Sequence, residues 1–339
     1  MALPEPAPIR EYHDVDRARF LEEVRPLGQP AVLRGQAVSW PAVQAALRSD
    51  QAIIDYVRAF QMERPVQVLV GAPEIGGRFF YSDDVRTFNF TRGRSPIDPF
   101  FDRLLRDADN PEPFAIAIQS EEIPDLFPGF ERENSIDLVA PEVVPRAWIG
   151  NRIRVAPHYD LMENVGVVVA GQRRFTVFPP EQLANLYAGP FDLTPAGTPI
   201  SMVDLEQPDL AAHPRFEEAW ASAQRATLNP GDAIYIPFHW WHAVDSLAPV
   251  NFFVNYWWND ASKDAGSPYD ALMYAFFALK PLPPEQRKVW QKVYEHYIFA
   301  VDEDPAEHLP LHARGVLGEP TRELLGRMRA TLRQIMGKL

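Results

Sequence analysis

A mainly β fold with flanking helices is predicted for this chain, and three observations predict it. Six short apolar or alternating runs, each punctuated by Gly, Pro or Asn, fall between residues 114 and 258. Helical spacing of apolar residues returns only after about residue 260. Proline makes up 34 of the 339 residues, about twice the usual share, with only 18 glycines, which is the composition of rigid turns between short elements. Together these describe an antiparallel sandwich or barrel.

Near the start, Asp14 or Asp16 is placed to cap a helix through RARFLEEV, and Ser49 or Asp50 a second through AIIDYVRAF. The strand-like runs VQVLV and RFFYS follow. Residues 96–108, PIDPFFDRLLRDA, read as a helix with Phe100, Phe101, Leu104 and Leu105 as its apolar stripe. From about residue 113 the runs are FAIAIQS, AWIGN, VGVVVAG, RRFTVFPP, DAIYIPF and VNFFVNYWW. Residues 181–228 are polar, Pro-rich and weakly periodic. They read as an insertion, either a selectivity lid or a solvated loop.

The last third is helical. Ser267-Pro268 supplies an N-cap and first helical position for YDALMYAFFAL, and Pro283-Pro284 opens EQRKVWQKVYEHYIF. Pro320-Thr321 precedes RELLGRMRATLRQIMGKL, whose Leu324, Leu325, Met328, Leu332, Ile335, Met336 and Leu339 line one face. Such faces need a cover, either the barrel or a second copy of the chain. The expected organisation is an N-terminal helix/strand region at 1–112, a β core at 113–260 carrying the insertion, and a helical region at 261–339.

Composition narrows the function. No cysteine is present, so disulfides, thiolate metal sites and cysteine nucleophiles are excluded. The net charge of −13, without a basic block, makes a nucleic-acid partner a poor expectation. No run approaches the ~18 apolar residues of a membrane span. The first residues lack an apolar signal core, so a cytoplasmic location is expected.

In a cysteine-free chain the eight histidines carry the metal chemistry. The informative one lies in Pro157-His158-Tyr159-Asp160. Residues two apart on a strand share a face, so His158 and Asp160 present an imidazole and a carboxylate together. Eight histidines and 23 aspartates in 339 residues give about half a His-x-Asp triplet by chance, so context must decide. His242, after an apolar strand in YIPFHWWHAV, offers a third ligand, while His239 is expected to face the other side of a strand. Two histidines and one carboxylate form the facial triad of non-haem Fe(II) oxygenases, although Mn(II), Ni(II) or Zn(II) suits the same donors. The open positions take an oxo acid and dioxygen. Its distal carboxylate needs a cation, and Arg173 or Arg174 can supply one, since adjacent strand residues face opposite ways. Asn164 and Asn255 could hold the oxo acid's other end or satisfy buried backbone.

These pieces, in this order, resemble the cupin-like JmjC family of Fe(II)/2-oxoglutarate-dependent oxygenases, and in particular its asparaginyl hydroxylases. The likeness rests on PAVLRG, WIGN, APHYDLMEN, GQRRFTVFPPEQL, NPGDAIYIPFHWWHAVDSL and VNFFVNYWW, across roughly residues 30–258. It implies a double-stranded β-helix of the cupin or jelly-roll type with a C-terminal helical element for dimerisation. It implies His158, Asp160 and His242 as iron ligands, Asn164 and Asn255 near the 1-carboxylate of 2-oxoglutarate, and Trp257 in the pocket wall. Three positions depart from the family pattern: Arg173 replaces the lysine that anchors the 5-carboxylate, Val155 a threonine and Ala117 a tyrosine.

The resulting expectation is a hydroxylase of a protein side chain or small molecule that releases succinate and CO2. The rival readings are a metal-binding cupin that does not use 2-oxoglutarate and a non-enzymatic module binding a partner through its Trp-rich sheet.

Overall fold

Strands from both ends of the first 259 residues build two mixed sheets. The computed structural model describes residues 3–337, and the chain divides after Asn259 into two units. The smaller sheet has the order Ala7–Pro8, Gln224–Leu228, Arg173–Phe178, Trp241–Ser246, Arg154–Tyr159, Arg78–Phe79. The larger runs Arg10–His13, Ala31–Arg34, Ala233–Ile236, Glu163–Ala170, Asn251–Trp258, Pro145–Gly150, Ala115–Glu122, Val66–Gly71, Phe90–Ser95. From Arg154 onward the chain passes back and forth between the sheets, the winding of a double-stranded β-helix of the jelly-roll class.

The strand Glu163–Ala170 shows why the sheets stack. Its run VGVVVA is buried on both faces, as a central strand covered on both sides must be. Val165, Val167 and Val169 face a core shared with the helices Pro41–Ala46, Asp50–Arg58 and Ile97–Arg106. Val168 faces the other way, joining Phe175, Val177, Val244 and Phe253 between the sheets. Residues of one parity therefore hold the helices, and residues of the other line the interior.

Several expectations gain detail. Asp16 caps the first helix, its carboxylate accepting the Arg19 amide at 2.8 Å, and the helix then widens into a π turn over Phe20–Val24. Ser49 caps Asp50–Arg58, accepting from the Ala52 amide. The segment read as an insertion is shorter than expected. Gln224–Leu228 is a strand of the smaller sheet, paired to Arg173–Phe178, and its polar residues hid the alternation. Within RFFYS only Arg78–Phe79 is strand.

The second unit is helical: Pro268–Leu279, Pro284–Tyr294 running into a π turn over Glu295–Phe299, and Arg322–Met336. Ser267 caps the first, and Thr321 caps the last. Among its described residues only Ala306 and Leu324 are buried apolar side chains. Leu339, the last of the expected stripe, lies outside the described residues. No helix of the described residues is long and apolar enough to cross a membrane.

Candidate metal centre

Strand register assembles the centre. Arg154–Tyr159 and Trp241–Ser246 are antiparallel neighbours in the smaller sheet, and His158 stands directly opposite His242. Cross-strand partners share a face, and the two rings lie 4.3 Å apart between centroids. Asp160 follows at the strand end, two residues on from His158. Ligand atoms of the three residues lie within 4.8 Å of one another, and no other His, Cys, Asp or Glu trio among the described residues does so.

The imidazoles are fixed in the same way. Nδ1 of His158 faces the Ala156 carbonyl at 3.0 Å, and Nδ1 of His242 faces the Trp240 carbonyl at 3.0 Å. A carbonyl can only accept, so each Nδ1 carries a proton and Nε2 is the ring nitrogen left to face a cation. Burial, reinforced by the neighbouring His242, holds the His158 imidazole below its ordinary 6.5 and therefore neutral.

Asp160 is held through one oxygen. Its Oδ2 accepts from Asn164 Nδ2 at 3.0 Å and from Trp257 Nε1 at 3.0 Å, and lies 3.6 Å from His242 Nε2. No described residue donates to Oδ1. Two imidazole nitrogens and one carboxylate oxygen fit a divalent ion, and the set leaves positions open. His239 is not on a strand, contrary to expectation. It occupies a turn with φ +61°, its amide donates to the Asp160 carbonyl at 3.3 Å and its ring stacks on Tyr159.

The asparagines expected near the cosubstrate form a relay. Trp148 Nε1 donates to Asn255 Oδ1 at 2.7 Å, and Asn255 Nδ2 donates to Asn164 Oδ1 at 3.2 Å. Asn164 then holds Asp160. Asn164 is 5% exposed and Asn255 1%, so these bonds satisfy groups that water barely reaches. Asn164, Asn255 and Trp257 line the cavity, while the polar contacts of their side chains run to one another, to Trp148 and to Asp160.

The cavity has a volume of about 470 Å³, within the usual range for small-ligand sites. Arg173 lines it and is only 6% exposed. Its Nη2 donates to the Trp148 carbonyl at 3.2 Å, its guanidinium lies 4.7 Å from the Phe253 ring centre, and its Nε has no partner. No carboxylate of the described residues pairs with it, and burial lowers its pKa to about 9. Arg174 points away from the cavity and pairs with Asp245 at 2.8 Å. Val155 also lines the cavity, whereas Ala117 is fully buried in an apolar cluster with Leu69, Phe79 and Phe90.

Sequence reasoning assigned no role to Trp148 or Phe253. Both were visible only as members of apolar runs, because their contacts depend on register between strands.

Residues 17–264 match the family described as the cupin-like domain. Lysine-specific demethylase 8 of Xenopus tropicalis is 28% identical over 240 residues, covering 68% of this chain and 48% of that protein. Lysine-specific demethylase JMJ31 of Arabidopsis thaliana is 38% identical over 112 residues, 33% of this chain and 20% of that protein. This chain thus spans about half or less of those two relatives. tRNA wybutosine-synthesizing protein 5 of Danio rerio is 26% identical over 315 residues, covering 83% of this chain and 89% of that protein. The family match, the jelly-roll winding and the His-Asp-His centre agree, and the chain belongs to the cupin-like JmjC family of Fe(II)- and 2-oxoglutarate-dependent oxygenases.

Proposed function

We propose that this chain hydroxylates a C–H bond of a protein side chain or small molecule, converting 2-oxoglutarate and O2 into succinate and CO2. One observation carries the reading: a buried guanidinium without a carboxylate partner lines the cavity that holds the His-Asp-His trio. An unpaired buried charge costs several kcal/mol, and a dicarboxylate spanning trio and arginine would relieve it.

His158, Asp160 and His242 would hold Fe(II), which supplies the dioxygen chemistry when bound. Arg173 would grip the distal carboxylate of 2-oxoglutarate with two parallel N–H donors. The Phe253 face beneath keeps the guanidinium in place. Trp257 and Asn164 hold Asp160 in one orientation, and the relay from Trp148 holds Asn164. The neutral His158 imidazole needs no deprotonation before binding a cation. Apolar Phe175, Ile236 and Val244 in the cavity wall limit water around the reacting atoms.

The relatives named as lysine demethylases fit the same step, since hydroxylating an N-methyl carbon releases it as an aldehyde. The relative named for tRNA wybutosine synthesis suggests a nucleic-acid substrate, against which the −13 charge of this chain argues. The apolar faces of the C-terminal helices support a homodimer, tested by light scattering of a chain lacking residues 320–339. An unchanged mass refutes it.

The function is tested by anaerobic titration with Fe(II), then 2-oxoglutarate, followed by visible absorption. A charge-transfer band present in the wild type and absent in His158→Ala is expected. Iron binding without a band would overturn the reading in favour of a cupin that does not use 2-oxoglutarate, a reading to which apolar Val155 and Ala117 lend support.

A further inference from the structure

Apart from the trio, two charged side chains line the cavity, Arg173 and Arg92. With Arg173 assigned to the cosubstrate, Arg92 is left. It lies on Phe90–Ser95, the edge strand of the larger sheet, and is exposed. Its guanidinium sits 5.1 Å from the Phe88 ring centre and 5.7 Å from that of Phe90, and these two rings are themselves stacked. Nη2 donates to the Pro195 carbonyl at 3.3 Å, and Pro195 is part of the 194–197 stretch that also lines the cavity. The guanidinium is therefore held in place by stacking and by one hydrogen bond.

It has no carboxylate within 4.0 Å among the described residues. Carboxylates are not scarce in this chain, since acidic residues outnumber Lys and Arg by 46 to 33. Arg34, Arg58, Arg64, Arg146, Arg154 and Arg174 are all ion-paired. A preorganised cation left unpaired at a cavity wall is suited to an acid brought by a ligand.

A second irregularity lies in the same wall. The register between Ala115–Glu122 and Pro145–Gly150 slips between Ile118 and Glu121. Ser120 there takes φ +57°, held by Arg146 Nη1 donating to its carbonyl at 2.6 Å. A bulge of this kind re-aims side chains, and Gln119 and Ser120 both line the cavity.

We propose that Arg92 selects the molecule to be oxidised, and that this molecule carries an anionic group, a carboxylate or a phosphate. Gln119 and Ser120 supply neutral polar contacts on the same wall. The proposal rests on the oxygenase reading in giving Arg173 to 2-oxoglutarate. A cationic substrate would instead meet an uncompensated arginine.

The test is calorimetric titration of the full chain, loaded anaerobically with Fe(II) and 2-oxoglutarate, using benzoate, phenyl phosphate and neutral benzamide as probes. At least one anion is expected to bind roughly 10–100-fold more tightly than benzamide, the worth of one charge-assisted contact. Which anion does so identifies the group. Arg92→Gln is expected to reduce that anion to the level of benzamide, and Arg92→Lys to recover part of the difference. Anions that bind no better than benzamide at millimolar concentration, or that ignore Arg92→Gln, overturn the proposal. The charge-transfer band is recorded in the same samples. Its absence from the wild type would refute the cosubstrate reading alone. The titration on Fe(II)-loaded Arg173→Met, where Arg92 is the remaining cavity arginine, would then still decide the role of Arg92.

Discussion

Replacing Arg173 with methionine is expected to stabilise the cosubstrate-free protein while abolishing its response to 2-oxoglutarate. The magnitude follows from the surroundings of the guanidinium. Lowering its pKa from 12.5 to about 9 corresponds to about 5 kcal/mol against the charged form. The variant forfeits the bond to the Trp148 carbonyl, about 1.5–3 kcal/mol for a charged donor. It also forfeits the cation–π contact with Phe253, about 1–2 kcal/mol. Methionine keeps much of the apolar packing. The balance is a gain of about 1 kcal/mol, or a few degrees in Tm. The assay is thermal unfolding of the Fe(II)-loaded chain under anaerobic conditions, with and without 2-oxoglutarate. Ligand at about a hundred times its Kd stabilises the wild type by about 2.7 kcal/mol, and the variant is expected to show no shift. A variant destabilised by more than about 1 kcal/mol that still responds to 2-oxoglutarate would refute the reasoning and make Arg173 a structural residue.

Three further outcomes are expected. Because the fold disfavours protonation of His158, the unfolded chain takes up that proton more readily. The metal-free protein should therefore lose stability as pH falls below about 6.5, and His158→Gln should flatten the slope; equal slopes in urea titrations would count against it. Trp257→Phe deletes one of the two donors on Asp160 Oδ2 and should weaken Fe(II) or Mn(II) binding about 10–100-fold; unchanged metal affinity by calorimetry would contradict this. At Gly166 a Cβ would overlap the Phe253 ring, on which the Arg173 guanidinium rests. Gly166→Ala should cost about 1–3 kcal/mol by overpacking and weaken 2-oxoglutarate binding, with Phe253→Leu recovering stability; a fully stable Gly166→Ala chain would disprove the clash.

Much of the centre could be read from the chain because strand geometry is local. Period two places His158 and Asp160 on one face and forces Arg173 and Arg174 apart. Alternation and turn residues likewise mark the β class and the helices after residue 260 without knowledge of neighbours. The C-terminal strand of the expected insertion escaped because QRATL places polar residues on both faces of an otherwise half-buried strand.

What lies between strands was decided only by the tertiary structure. Periodicity along one strand says nothing about which residue stands opposite on the next, and the pairing of His158 with His242 is a matter of register. The same holds for Trp148, two strands from Asn164, whose indole begins the relay ending at Asp160. Which arginine faces inward followed from where the second sheet lay. That Arg173 and Arg92 both lack an acidic partner depended on where every other charge in the fold came to rest. Local backbone geometry sets the facing of side chains within an element, but the partners of a buried charge come from the packing of elements distant in sequence.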